Sequence, residues 1–121
     1  MNCATFPQPA PAECRAFSIC AKTPAHCASK LSPGESFDAQ CGAVFAQIET
    51  ALKSAGAGWG NVVQFTTYLV HSQDIPKFMA WRLREFPRMF PDGKYPPNTL
   101  LMIDRLVGEQ YLIEVQTIAV T

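Results

Sequence analysis

The last stretch of the chain, residues 94–120, most constrains what it can fold into. It reads KYPPNTLLMIDRLVGEQYLIEVQTIAV. Residues 99–107 are apolar or β-branched apart from one Asp-Arg pair, and residues 111–120 are rich in Ile, Val and Thr. Runs of this kind are typical of β-strands, and the Gly108–Glu109 pair between them predicts a turn. We therefore expect two long strands joined by a short turn, either central in a sheet or pressed against another chain.

Two polar side chains in this stretch are hard to explain by packing alone. Asn98 opens the first run and Glu114 lies within the second. Each also has a structural interpretation: Glu114 as an exposed strand residue or the partner of an arginine, and Asn98 as the cap of the turn after two prolines. The Thr99 hydroxyl could donate to a ligand oxygen or could belong to an ordinary strand residue. A functional site is therefore first sought around these three residues.

The preceding chain alternates the periodicities of strands and helices. Phe17, Ile19 and Ala21 recur every second residue, as in a strand with one buried face. The expected elements are a strand at residues 15–23, a helix at about 37–55, a strand at 61–70, and a second helix that starts near Asp74 and ends or kinks at Pro87.

The resulting order, β–α–β–α–β–β, predicts an α+β fold with one sheet and both helices on one face. Residues 1–121 form one domain, with residues 1–12 as an extended lead-in. The other face of so apolar a sheet would be buried against further copies of the chain.

Composition and charge limit the partners. Ten basic and ten acidic residues give a formal net charge of zero, so nothing indicates the basic surface that binds nucleic acid. No apolar run is long enough for a membrane helix. The N-terminus lacks the charged-then-apolar pattern of a signal peptide, which predicts a cytoplasmic protein.

All five cysteines lie in the first third of the chain and form no C-x-x-C motif. The spacings therefore predict no metal site. An odd number of cysteines without a secretion signal also argues against a disulfide framework, so we expect reduced thiols.

Several segments resemble the YjgF/RidA family, the reactive intermediate deaminases often called L-PSP endoribonucleases. Residues 56–70, GAGWGNVVQFTTYLV, resemble its "AG…DVVKTTVYL" segment, and residues 112–119, LIEVQTIA, resemble its last strand. The resemblance covers roughly residues 15–121. It implies a chorismate-mutase-like α+β subunit, three of which form a barrel-like homotrimer with ligand pockets between subunits.

The resemblance also implies roles for particular residues. Glu114 matches the glutamate that works with the water attacking an imine carbon. Asn98 stands where the family has an arginine that holds the substrate carboxylate, and it supplies neither the charge nor the bidentate fork of arginine. Arg105 or Arg15 could take over that role, and Phe6 is nearest in order to the aromatic residue of the family's pocket.

Two functions of different class follow. In the first, a pocket between subunits binds a small carboxylate or carbonyl metabolite, and the usual deaminase chemistry is absent or redirected. In the second, the protein is an imine or enamine deaminase that needs no cofactor and uses Glu114 to position water. An endoribonuclease is disfavoured, because the sequence offers neither a histidine pair nor a basic surface interleaved with aromatic residues.

Overall fold

The computed structural model describes residues 16–22 and 36–121. Phe6, Arg15 and the lead-in at residues 1–12 lie outside this part. The described elements, in chain order, are β1 (Ala16–Lys22), α1 (Ser36–Ser54), β2 (Val62–Leu69), α2 (Asp74–Met89), β3 (Asn98–Met102) and β4 (Ile113–Val120), with a short 3-10 turn (Trp59–Asn61) before β2.

The four strands form one mixed sheet in the order β1-β4-β2-β3. β4 lies antiparallel to both of its neighbours, whereas β3 lies parallel to β2. Parallel neighbours need a crossover connection, and α2 supplies it between β2 and β3. This is the predicted α+β architecture.

The predicted turn at Gly108–Glu109 is present, since the N–H of Tyr111 donates to the carbonyl of Gly108 at 3.1 Å, but it does not join two paired strands. β3 and β4 are not neighbours, since β2 lies between them. β3 ends at Met102, and residues 103–112 carry the chain past the end of β2 to the start of β4. The apolar pattern identified both runs as strands, but the pairing partner of each depends on the α2 crossover, which local sequence does not reveal.

Both helices cover the same face of the sheet, as expected. The side chains of β4 that point toward them, from Ile113 to Ala119 at every second position, are fully buried. Facing them from α1 is a stripe that repeats every three or four residues: Phe37, Cys41, Val44, Phe45, Ile48 and Leu52. Phe45 stacks on Trp81 of α2 with ring centroids 4.6 Å apart, so the two helices share one aromatic core.

Of the two outcomes expected at Pro87, an end of the helix or a kink, the first does not occur. The helix continues to Met89, and the backbone N–H of Phe90 donates to the carbonyl of Phe86. Because Phe86, Met89 and Phe90 are all buried, packing of this last turn outweighs the local cost of proline. Neither described helix has the length and apolar character that crossing a bilayer requires.

Candidate functional site

A groove of about 460 Å³ lies on the face of the sheet that the described helices leave uncovered. Its floor comes from three strands and its wall from the segment after β3. The lining residues are Cys20, Tyr68, Glu114 and Gln116 from the strands, and Ile103, Arg105, Leu106 and Val107 from the wall.

The pairing register explains why the floor residues share one face. Tyr68 lies opposite Glu114, and Cys20 lies opposite Gln116. Residues directly opposite in an antiparallel pair point to the same face, and diagonal neighbours remain within reach. The floor is thus a patch of polar side chains at one end of the sheet.

Glu114 is held by a hydrogen bond across two strands. The thiol of Cys20 in β1 donates to Oε1 of Glu114, with 2.7 Å between sulfur and oxygen. Gln116 similarly donates through Nε2 to Oγ of Ser18, at 3.1 Å. The contact with Cys20 holds the carboxylate of Glu114 in the groove, and the contact between Gln116 and Ser18 adds a second side-chain link between β1 and β4.

Arg105 brings a positive charge to the same groove. Its Nη1 lies 3.6 Å from Oε1 of Glu109, and both side chains are mostly exposed. Exposed pairs of this kind contribute about 0–1 kcal/mol, so the guanidinium can turn toward a ligand at little cost. Arg105 also borders a second depression of about 270 Å³, which contains His71 and Tyr111.

A buried glutamine on α1 supports the segment that carries Arg105. Nε2 of Gln40 donates to the carbonyl of Gln110, and its Oε1 accepts from the N–H of Leu112, each over 2.8 Å. Gln40 is 1% exposed. It thereby satisfies backbone groups of residues 103–112 where no strand pairs with them, and it joins this segment to the helix layer.

The structure separates Asn98 from Glu114. Asn98 lies opposite Phe65 on the helix-facing side of β3, where its Oδ1 accepts a hydrogen bond from Oγ1 of the buried Thr67 at 3.0 Å. Thr99 points to the uncovered face and is exposed, but it is not among the residues that line the groove. Of the residues singled out from sequence, the groove therefore brings together Glu114 and Arg105.

Nothing in the sequence marked three of the groove residues as members of a site. Tyr68 and Gln116 read as ordinary outward residues of strands, and Cys20 as one of five scattered thiols. The alternation within β4 could have placed Gln116 beside Glu114, but the contact with Cys20 depends on the register between β1 and β4. Within residues 16–22 and 36–121, no three His, Cys, Asp or Glu side chains converge as a metal site requires.

Solved structures share this fold. A member of the conserved Rid protein family from Yersinia pestis, YyfB, is 25% identical, with a TM-score of 0.69 over 88% of this chain and 79% of its own. A member of the YjgF/YER057c/UK114 family from Mycobacterium tuberculosis is 18% identical, with a TM-score of 0.63 over 85% of this chain and 75% of its own.

TdcF from E. coli, solved with bound serine, is 18% identical, with a TM-score of 0.62 over 69% of this chain and 64% of its own. No curated protein matches the chain.

These likenesses define a small α+β protein of the YjgF/Rid type. The family model described as Endoribonuclease L-PSP matches residues 19–121. The chain belongs to this family, which confirms the resemblance seen in its sequence.

Proposed function

We propose that the protein binds a small carboxylate or carbonyl metabolite in the groove between Arg105 and Glu114. The observation that carries the proposal is that one groove holds a guanidinium and a carboxylate that come from separate parts of the chain. Its volume suits a small molecule. The guanidinium would hold the ligand carboxylate by charge-assisted hydrogen bonds, while the carboxylate of Glu114 accepts a hydrogen bond from a ligand or a bound water.

In this proposal, Arg105 holds the ligand carboxylate, as the family arginine does. Asn98 occupies that sequence position but faces the helix layer through its contact with Thr67. Arg105 lies on the uncovered side with its charge available. The bound serine of the E. coli relative supports a small molecule with a carboxylate as the ligand class.

A homotrimer would complete the groove. Half-buried side chains on the uncovered face, such as Tyr68 and Ile118, and the exposed Leu101 offer apolar surface to neighbouring subunits. Burying that surface would also remove water from around Arg105 and Glu114 and so strengthen their interactions with a ligand. Light scattering on the purified protein should give three times the mass of one chain, and a monomer would contradict this part of the proposal.

Binding can be tested with Arg105→Met. Titration calorimetry with a panel of 2-oxo and amino acids should show a ligand whose affinity falls about tenfold or more in the variant, because a hydrogen bond to a charged group contributes about 1.5–3 kcal/mol. Arg88→Met is a matched control: Arg88 is 63% exposed where Arg105 is 60%, and its carboxylate partner Glu85 lies 3.5 Å away. Equal losses in both variants would overturn the role of Arg105.

The alternative function is catalytic turnover, and substitution of Glu114 tests it. An amino-acid oxidase can generate imines in the presence of the protein, with hydrolysis followed against time. Acceleration that disappears in Glu114→Ala would establish the deaminase function. Binding without acceleration for any substrate supports a binding protein.

A further inference from the structure

We propose that Cys20 captures the carbonyl carbon of a small 2-oxo acid reversibly, as a thiohemiketal, within the groove of Arg105 and Glu114. The inference rests on the proposed function and extends it. It names the ligand class and adds a covalent step to binding.

The contact between Cys20 and Glu114 carries the inference. A thiol is the strongest nucleophile of the groove, and a base placed on its proton activates it. Here the base is Oε1 of Glu114, 2.7 Å from Sγ, and the sulfur belongs to an exposed residue that lines the groove. Three groups needed for the step therefore lie in one cavity: a nucleophile, a proton acceptor and, in Arg105, a cation for the ligand carboxylate.

The other cysteine in the described chain shows the contrast. Cys41 is fully buried among apolar side chains of the core. Burial raises the pKa of its thiol, and the charges of Asp38 and Asp74 raise that pKa further. Cys41 is therefore an inert packing residue, whereas Cys20 faces the groove.

The step balances without an oxidant or reductant. Sγ forms a bond to the carbonyl carbon while the π bond of the carbonyl breaks toward oxygen. The thiol proton passes to Oε1 of Glu114 and then to the new alkoxide oxygen. The product is a thiohemiketal with an uncharged hydroxyl group and the ligand's own carboxylate, and Glu114 is again a carboxylate. The reverse sequence releases the oxo acid.

The ligand class follows from the positions of the groups. A carboxylate at Arg105 and an electrophilic carbon at Cys20 must belong to one small molecule, and a 2-oxo acid is the simplest compound that carries both. A hydroxy acid of the same size has the carboxylate but no carbon that a thiol can attack. The pair of acids therefore separates covalent capture from simple binding.

The test uses pyruvate labelled with carbon-13 at its carbonyl carbon, and lactate as the matched acid without a carbonyl. In carbon-13 NMR, the wild-type protein should convert part of the ketone signal into a thiohemiketal signal far upfield, and Cys20→Ser should lose that signal. By calorimetry, Cys20→Ser should lose affinity for pyruvate by a much larger factor than it loses affinity for lactate. In Glu114→Gln, which cannot accept the proton, adduct formation should slow by roughly a hundredfold.

The outcomes separate the two proposals. Pyruvate that binds the wild type without an adduct signal, or a signal that persists in Cys20→Ser, overturns covalent capture and leaves the binding function standing. Failure of both pyruvate and lactate to bind overturns capture of 2-oxo acids. If other carboxylates in the panel then bind through Arg105, the proposed function survives that result.

Discussion

Replacing Gln40 by leucine should loosen the segment that carries Arg105. In the native chain both ends of the Gln40 amide bond to the backbone of this segment, at Gln110 and Leu112, over 2.8 Å. Leucine has nearly the same volume but no polar atoms, so the change removes both hydrogen bonds and leaves the shape of the core almost intact. The N–H of Leu112 then lies part-buried without its acceptor.

The magnitude follows from these contacts. Two hydrogen bonds contribute about 1 kcal/mol each, and a part-buried donor left without a partner costs about 1 kcal/mol more. The added apolar burial of leucine returns about 1 kcal/mol. The free energy of unfolding should therefore fall by about 2 kcal/mol, which lowers Tm by roughly 8 °C in a domain of this size.

Urea denaturation followed by circular dichroism measures this change, with all proteins at the same concentration because association shifts apparent stability. Gln47→Leu is the matched control: Gln47 lies two turns along the same helix and is half-buried, and its loss should change stability by less than about 0.5 kcal/mol. Amide hydrogen exchange adds a local measurement, since the Leu112 N–H should lose protection in Gln40→Leu. Wild-type stability and unchanged protection at Leu112 would show that the glutamine does not hold the segment.

Two further results are expected. Burial raises the pKa of the Cys41 thiol in the folded chain above its value of about 8.5 in the unfolded chain. The stability that this raised pKa contributes is therefore complete below about pH 8.5 and falls above it by up to ~1.4 kcal/mol per pH unit. Between pH 7 and 10, the free energy of unfolding should decline less steeply in Cys41→Ala than in the wild type. Parallel curves for the two proteins would contradict the raised pKa of Cys41. Asn98→Arg should not create imine hydrolysis in the oxidase-coupled assay, because position 98 faces the helix layer. The substitution should instead lower the free energy of unfolding by about 1–3 kcal/mol, because the hydroxyl of Thr67 loses its hydrogen-bond acceptor. Hydrolysis that appears in this variant would show that the side chain at position 98 reaches the groove.

Local sequence determined the elements and the buried stripe. The three- and four-residue repeat from Cys41 to Leu52 predicted α1, and the alternation around Phe65 predicted β2, because helices and strands bury one face at fixed periods. The alternation also determined that Glu114 and Val115 lie on opposite faces of β4. These results need no knowledge of the rest of the chain.

Tertiary structure decided the pairing of the strands and the membership of the groove. The sequence predicted a turn joining the last two strands, but the α2 crossover sets β3 parallel to β2 and sends β4 to the centre of the sheet. Cys20 and Glu114, 94 positions apart, meet only because of the resulting register, and Arg105 joins them because Gln40 holds its segment. A periodic pattern in the sequence shows which side chains of one strand share a face. The residue that lies opposite on the adjacent strand is set by the chain topology, which that pattern does not reveal.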